Sequence, residues 1–444
     1  MRRYMLMLCL SVFPSLLYSQ TQWVLQEYLH RIGKNANEYL GQYVSGIGDF
    51  NRDGKPDVAA SQFGATGLWY ITNNTDTVPQ RIFFGTNLVK GDINGDGYTD
   101  FVLSNNDTVC IYWGTLSDID TTNPTRLYAE HLGDAFGRVM CIGNLIGDAV
   151  SDLVITAQDY PGFPVIGKVY IYRGGLPFDT IPAYTITGDS GYYRFGTNCA
   201  IGDINNYGFN DLAVSGSFSY GQTCERWHYL DVYFGSVTFD TVRDFRIRNS
   251  CDNLGDVKIF DANGDGKKDL LWATRDSSNG IYIYFGRVNF TLKPDMILRP
   301  PYFFETFFSR IIDAGDMDGD GYHDIAVSDP GAFQGSGFVL IYRGGAALDT
   351  VWDAGKGRSD GSKFGVSMDI VGDINGDGLS DIVIGAPAYA FGTNQGYFGI
   401  FLGDRQITAV GEKPTSTLPQ IARLEQNYPN PFNPIAIIKF GLPA

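Results

Sequence analysis

One nine-residue pattern carries most of the chemistry this sequence can offer. It reads Asp-x-Asn-x-Asp-Gly-x-x-Asp and recurs along the chain. The first copy supplies Asp49, Asn51, Asp53 and Asp57, and the second supplies Asp92, Asn94, Asp96 and Asp100. The fifth has Asp261, Asn263, Asp265 and Asp269. The sixth has Asp316, Asp318, Asp320 and Asp324, and the seventh has Asp373, Asn375, Asp377 and Asp381. Two copies have decayed. The third keeps Asn144, Asp148 and Asp152 but has Ile146 at its third position. The fourth keeps Asp203, Asn205 and Asp211 but has Tyr207 at its fifth. Successive copies start 43, 52, 59, 58, 55 and 57 residues apart, so this is an internal repeat and not a chance match.

The pattern places side-chain oxygens at positions one, three, five and nine. A main-chain carbonyl is available at position seven, from Lys55, Tyr98, Lys267, Tyr322 and Leu379 in the intact copies. Calcium takes roughly six to eight hard oxygen ligands in a flexible shell, whereas magnesium demands a tighter octahedron and keeps its waters. Glycine at position six permits the sharp turn that wraps an ion. Asn, Asp and Gly also build turns that bind nothing. Five near-identical copies favour calcium, at about five sites. The third and fourth loops are expected to bind weakly or not at all. An EF-hand is excluded, because position twelve is Ala60, Leu103 or Ile384 where that motif needs a bidentate Glu.

Charge points the same way. The chain carries 49 acids against 33 bases, a net charge of -16, and twenty of the acids lie in the seven loops. Clustered carboxylates repel one another unless a cation sits among them. Five divalent ions would offset more than half of the net charge. A field of this sign repels nucleic acid.

The elements that hold these loops read as strands. A β-branched run follows each loop, such as Leu153-Val154-Ile155 or Ile382-Val383-Ile384. A further run then ends in an aromatic and a glycine, as in Ile111-Tyr112-Trp113-Gly114 and Tyr282-Ile283-Tyr284-Phe285-Gly286. Its alternation reads as half-buried. Gly is 55 of 444 residues and aromatics are 14%, which suits short strands joined by tight turns. No unit shows a helical stripe. Each repeat offers about four strands in about 50 residues, too few to bury both faces alone. Seven such units around an axis make an all-β, seven-bladed β-propeller of four-stranded antiparallel blades. An open solenoid would need capping repeats, which are not evident. The ring is expected to close between the stretch Trp23 to Leu29 and the last strand near Phe398 to Leu402.

The ends differ in kind. Residues 1–19 read as a secretory signal, with Arg2 and Arg3 before the apolar run Met5 to Phe13. No later stretch is long and apolar enough for a transmembrane segment. Five cysteines follow. Cys110, Cys141 and Cys199 lie in strand-like runs and read as buried small hydrophobes, while Cys224 and Cys251 lie in polar segments where they could pair. Residues 404–420 read as a linker after the propeller of residues 20–403. The segment Leu424-Glu425-Gln426-Asn427-Tyr428-Pro429-Asn430-Pro431-Phe432-Asn433-Pro434 then resembles the opening of the C-terminal sorting domain of type IX secretion. The resemblance covers residues 421–444, the start of such a domain. It implies export and possible surface attachment.

The repeats themselves resemble FG-GAP repeats of the integrin alpha-subunit kind over roughly residues 40–403. The resemblance rests on the seven loops, the pairs Phe136-Gly137, Phe195-Gly196 and Phe364-Gly365, and Gly385-Ala386-Pro387. It implies a seven-bladed propeller with calcium in blade loops and implies no reaction. Catalytic alternatives lack residues. The four histidines are scattered at 30, 131, 228 and 323, with no zinc-like grouping. Gly188-Asp189-Ser190-Gly191 matches a serine-protease nucleophile motif over four residues only, and a triad also needs a positioned histidine and acid. The sequence therefore points to a secreted or cell-surface binding or adhesion module with an extracellular protein or carbohydrate ligand. A structural surface scaffold and a polysaccharide-processing factor are the alternatives. Candidate ligand loops are Asp159 to Val165, Phe218 to His228, Pro300 to Phe308 and Tyr389 to Gln395.

Overall fold

The computed structural model describes residues 23–71, 78–105, 107–115, 119–161, 165–189, 193–219, 226–250, 254–274, 280–300, 308–390 and 392–405. All of them lie in one compact unit, Met1–Thr408. The proposed signal, linker and sorting segment lie outside the described residues, apart from Asp404 and Arg405. So do Cys224, Cys251 and most of the loops at 218–228 and 300–308.

The described chain forms seven antiparallel sheets, each a meander from an inner strand to an outer one. Blade 1 runs Val44–Gly48, Asp57–Gln62, Ala65–Trp69 and Arg81–Phe84. Blade 3 runs Phe136–Gly143, Asp152–Ala157, Lys168–Tyr172 and Tyr184–Thr187, and blade 4 runs Tyr193–Gly202, Asp211–Ser219, Arg226–Tyr233 and Phe245–Ser250. Blades 2, 5 and 6 repeat the order. Blade 7 is assembled from both ends of the propeller: Met368–Gly372, Asp381–Gly385 and Tyr397–Leu402 are completed by Gln26–Ile32. The pairing runs from Gln26 opposite Leu402 to Ile32 opposite Tyr397, so the ring closes on the expected last strand, but the closing N-terminal strand lies three residues further along than the expected Trp23 to Leu29. Trp23–Val24 does something else. It adds a parallel fifth strand to blade 6, against Ala354 and Gly355.

Third strands do not have the half-buried character their alternation implied. Phe338–Tyr342 is buried throughout, and in Thr108–Tyr112 and Lys168–Tyr172 only the first residue is partly exposed. Each blade is covered by a neighbour on both sides, so both faces of its middle strands are interior. The apolar clusters show this directly. One joins Leu230 and Val232 of blade 4 to Trp272 and Tyr284 of blade 5. Another joins Val58 and Trp69 of blade 1 to Phe398 and Ile400 of blade 7. Polar alternation survives on outer strands such as Thr125–Tyr128, where Leu127 alone is buried.

The Phe-Gly pairs are packing devices between blades. Phe136, Phe195 and Phe364 are buried. The glycines that follow have φ of +82°, +92° and +85°. A Cβ on Gly196 would lie 2.9 Å from Cβ of Thr156, and one on Gly365 would lie 2.7 Å from Cβ of Ser328, both on the preceding blade.

One cysteine expectation is corrected. Cys141 and Cys199 are not separate buried thiols but form a disulfide, with Cα atoms 6.2 Å apart. They lie on the inner strands of blades 3 and 4, near the loops that follow. Fifty-eight residues separate them in sequence, and only the stacking of neighbouring blades brings them together. Cys110 is a buried free thiol, as expected.

Gly365→Ala, which meets both a positive φ and the Ser328 contact, is expected to cost about 2 kcal/mol or more. Urea denaturation in calcium buffer measures it. Deletion of residues 23–32 removes the outer strand of blade 7. It is expected to lower the melting temperature sharply and broaden the transition, as read by calorimetry.

Candidate metal centres

Every repeat loop is the turn between an inner strand and the second strand. In six copies the inner strand ends in a glycine, such as Gly48, Gly91 and Gly372, and in loop 5 it ends in Phe260; the first ligand position follows immediately in each. The ninth position is the first residue of the second strand in all seven. The first aspartate shapes the turn. Asp49 Oδ1 accepts from the Asp53 amide at 2.9 Å and its Oδ2 from the Gly54 amide at 2.9 Å. Asp92, Asp261 and Asp373 repeat both bonds. Position six takes φ of +89° in Gly54, +86° in Gly97 and +91° in Gly321, which explains the glycine of the pattern; loop 3 alone holds another residue there, Ala149, at +70°. Position five in turn accepts from the amide at seven, as in Lys55 to Asp53 at 3.0 Å and Leu379 to Asp377 at 2.9 Å.

The ninth aspartate is a buried clamp. Asp57, Asp100, Asp152, Asp211, Asp269, Asp324 and Asp381 are each fully buried. One carboxylate oxygen accepts the amide of position two, at 2.8–3.0 Å from Phe50, Ile93, Leu145, Ile204, Ala262, Met317 and Ile374. The other accepts an amide just past the third strand: Ile71 in blade 1 and a glycine in the rest, namely Gly114, Gly174, Gly235, Gly286, Gly344 and Gly403. That glycine has no room for a Cβ. On Gly114, Gly235, Gly286 and Gly344 it would strike the carbonyl of position eight. The aromatic-glycine ending of the third strand is thus part of the loop.

Burial pushes these carboxyls up, against the downward pull of the amides. Asp57, Asp100 and Asp269 rise to about 6, Asp211 and Asp381 to about 7, and Asp324 to about 8. Burial is the largest cause in each. At Asp324 the neighbouring Asp318 adds to it.

Loop 6 shows the strongest convergence. Ligand oxygens of Asp316, Asp318 and Asp324 lie within 4.8 Å of one another. Asp318 is 2% exposed, and its Oδ2 is buried with no hydrogen-bond partner. Burial pushes its carboxyl up to about 6, and Asp320 and Asp316 push the same way. A buried, unpaired carboxylate oxygen facing two further carboxylates fits a hard divalent cation. In loops 1, 2 and 7 an asparagine stands at the third position. Its Nδ2 donates to the fifth-position carboxylate: Asn51 to Asp53 at 3.1 Å, Asn94 to Asp96 at 3.0 Å and Asn375 to Asp377 at 2.8 Å. Its Oδ1 accepts the amide of the same position-five residue. Loop 5 repeats that last bond through Asn263 and Asp265.

The decayed loops satisfy themselves differently. In loop 3, Arg173 Nε donates to Asp148 Oδ2 at 2.7 Å, and Ile146 joins an apolar cluster. In loop 4, Asn205 Nδ2 donates to the clamp Asp211 at 3.0 Å, and Tyr207 is exposed.

Position two was not singled out from the sequence, yet it links blades. Its side chain is fully buried in Ile93, Leu145, Ile204, Ala262 and Met317. Its amide binds the clamp aspartate. In four loops its carbonyl accepts from the next blade: Gly175 to Ile93 at 2.8 Å, Arg287 to Ile204 at 3.0 Å, Gly345 to Ala262 at 3.0 Å and Asp404 to Met317 at 2.8 Å. The signal was a consistently apolar residue inside an otherwise acidic loop.

The other sequence candidates stay dispersed. His30 contacts Glu27, His131 contacts Asp134, His323 contacts Asp313, and His228 is buried in blade 4. Asp189 of the Gly188-Asp189 pair is held by Arg243 and Arg246 at 3.1 and 3.0 Å. Of the aromatic candidates, Phe308 is a core residue and Tyr389 packs on Tyr397 with ring centres 5.4 Å apart.

Two stretches of the chain match known repeat families. Residues 261–327 match the FG-GAP-like repeat and residues 364–401 match the FG-GAP repeat. With the seven-bladed architecture, these matches support an integrin-like FG-GAP β-propeller. Human (Homo sapiens) integrin alpha-IIb is 27% identical over 263 residues, covering 52% of this chain and 24% of that protein. Integrin alpha-V of Gallus gallus is 29% identical over 266 residues, covering 55% and 24%. Phosphatidylinositol-glycan-specific phospholipase D of Mus musculus is 34% identical over 154 residues, covering 30% and 18%. The chain thus spans about a quarter or less of the length of these relatives.

Asp152→Ala, in a loop with few metal ligands, strips acceptors from three amides. It is expected to cost about 2–4 kcal/mol even in chelator, measured by urea denaturation. Without cation, a raised carboxyl keeps its proton in the folded state after the unfolded chain has lost it. Stability from these groups therefore falls as pH rises from about 4 to about 8. Calcium prefers the ionised form. The melting-temperature gap between calcium and chelator is therefore expected to widen from pH 5 to pH 8, read by scanning calorimetry across that range.

Proposed function

We propose that the chain is a secreted or cell-surface calcium-binding propeller that acts as a binding or adhesion module. The observation that carries this is the convergence of Asp316, Asp318 and Asp324 around a buried carboxylate oxygen without a partner, in a loop repeated on an integrin-like frame. In this reading calcium sits in loops 1, 2, 5, 6 and 7. It is held by side chains at positions one, three, five and nine and by the main-chain carbonyl of position seven. Extracellular calcium is high enough to fill even weak sites. Binding to the folded form alone adds about 2.7 kcal/mol at a hundredfold excess over Kd.

Several observations favour binding over catalysis. The clamp carboxylates are committed to amides, and the histidines lie on separate blades. The ends of the blades carry loops on a rigid frame, where ligand contacts can vary freely. A cavity of about 250 Å³ opens between blades 7 and 1, at the end away from the metal loops. Arg31, Lys34, Glu38 and Gln62 line it beside Trp69 and Ile82. Charged groups beside apolar ones suit a polar extracellular ligand such as a protein segment or a carbohydrate. Export is supported by the leader-like residues 1–19 and by the sorting-like residues 421–444, and the disulfide fits an oxidising compartment. No helix among the described residues is long and apolar enough to cross a membrane.

The protein is tested against a panel of polysaccharides and cell-surface proteins, in calcium and in chelator. A saturable partner lost in chelator is expected. A folded, calcium-loaded protein that retains none of the panel would favour the surface-scaffold reading, and turnover of a polysaccharide would favour a processing role. Chelation is also expected to lower the melting temperature markedly, and an unchanged melt would remove calcium from the account.

A further inference from the structure

The disulfide and the two decayed loops occupy the same place. Cys141 lies three residues before loop 3 and Cys199 four residues before loop 4. These are the two loops that have lost a ligand side chain. Loop 3 puts Ile146 where a third-position ligand stands elsewhere, and Ile146 packs in one cluster with Cys141, Cys199 and Ile201. Its fifth-position carboxylate is neutralised by Arg173. Loop 4 turns the Asn205 amide onto its clamp aspartate. The two loops also bond directly, through Asn210 Nδ2 to the Asn144 carbonyl at 2.8 Å.

We propose that the junction of blades 3 and 4 is held by a covalent, metal-independent latch, with Cys141–Cys199 doing there what calcium does at loops 1, 2, 5, 6 and 7. The inference rests on the calcium reading for loops 1, 2, 5, 6 and 7. Its physical basis is that loops 2, 4, 5 and 6 each tie their blade to the next through a main-chain bond to the carbonyl of position two, whereas among the described residues the Leu145 carbonyl of loop 3 accepts no such bond from blade 4. Loop 3 therefore leaves its junction with blade 4 without that main-chain tie. A cross-link between adjacent inner strands restores the tie and also restricts the unfolded chain. The latch opens only by reduction. A dithiol donates two electrons and two protons, the sulfur–sulfur bond breaks to two thiols, and the dithiol closes to its own disulfide.

Hydrogen exchange on the full chain tests this in calcium, in chelator, in calcium with dithiothreitol, and in both reagents. In chelator with the disulfide intact by mass, exchange in the inner strands at 86–91, 254–260, 310–315 and 368–372 is expected to rise about tenfold or more. The strands at 136–143 and 193–202 are expected to change by less than about twofold. Dithiothreitol in calcium is expected to reverse that pattern. The double variant Cys141→Ser/Cys199→Ser should match the reduced protein, while Cys110→Ser leaves both responses as they were. Equal loosening of all inner strands in chelator overturns the latch. So does reduction that leaves 136–143 and 193–202 unchanged. If chelator loosens no blade, the calcium reading fails, and local opening by dithiothreitol still upholds the covalent tie.

Discussion

A buried carboxylate at the start of every second strand is the constraint on which the propeller depends. Each of the seven ninth-position aspartates is fully buried, and each binds amides from the loop and from the end of the third strand. A charged group in such a place is costly unless its oxygens are satisfied. Satisfying them fixes the loop, the register of three strands and the glycine that must follow the third strand. The acidic pattern therefore encodes the blade first, and any ion second. That ordering explains why loops 3 and 4 keep Asp152 and Asp211 and the full clamp after losing other ligand positions.

The same loops transmit order around the ring. In four of the loops position two faces both ways, giving its amide to its own clamp while its carbonyl accepts from the following blade. An ion that stiffens one loop consequently stiffens a junction and not only a turn. Packing reinforces this, since the apolar clusters lie between blades as much as within them. Such a frame separates structural load from recognition. The repeat loops sit at one end, and the connections that can vary, including those near Glu38 and Tyr389, sit at the other.

Much of this was written plainly in the residues. Repeat number and strand order follow from the loop spacing, because each is a local signal repeated many times, while the closing N-terminal strand was placed three residues early. The loop turn was equally legible, since Asp at one, Asp at five and Gly at six are each dictated by a short-range bond or a positive φ. What escaped was relational. Alternation in Tyr170-Ile171-Tyr172 suggested one wet face, yet neighbouring blades dry both. Cys141 and Cys199 looked like isolated core residues, because nothing local reveals that consecutive inner strands stand side by side. Position two hid for the opposite reason: an apolar residue in an acidic loop reads as spacing until its two bonds are seen.

The strand Gln26–Ile32 has a consequence for how the molecule is made. Its partner, Tyr397–Leu402, is the last strand of the propeller to be synthesised. A chain emerging from one end first must hold this segment unpaired while six and a half blades form behind it. Contacts this distant in sequence form slowly, because a very large loop has to be closed before they are rewarded. The ring is therefore an all-or-nothing structure in time as well as in space. A chain interrupted anywhere before its final hairpin stays an open crescent with two bare edges, a form well suited to recognition by the machinery that removes unfinished proteins.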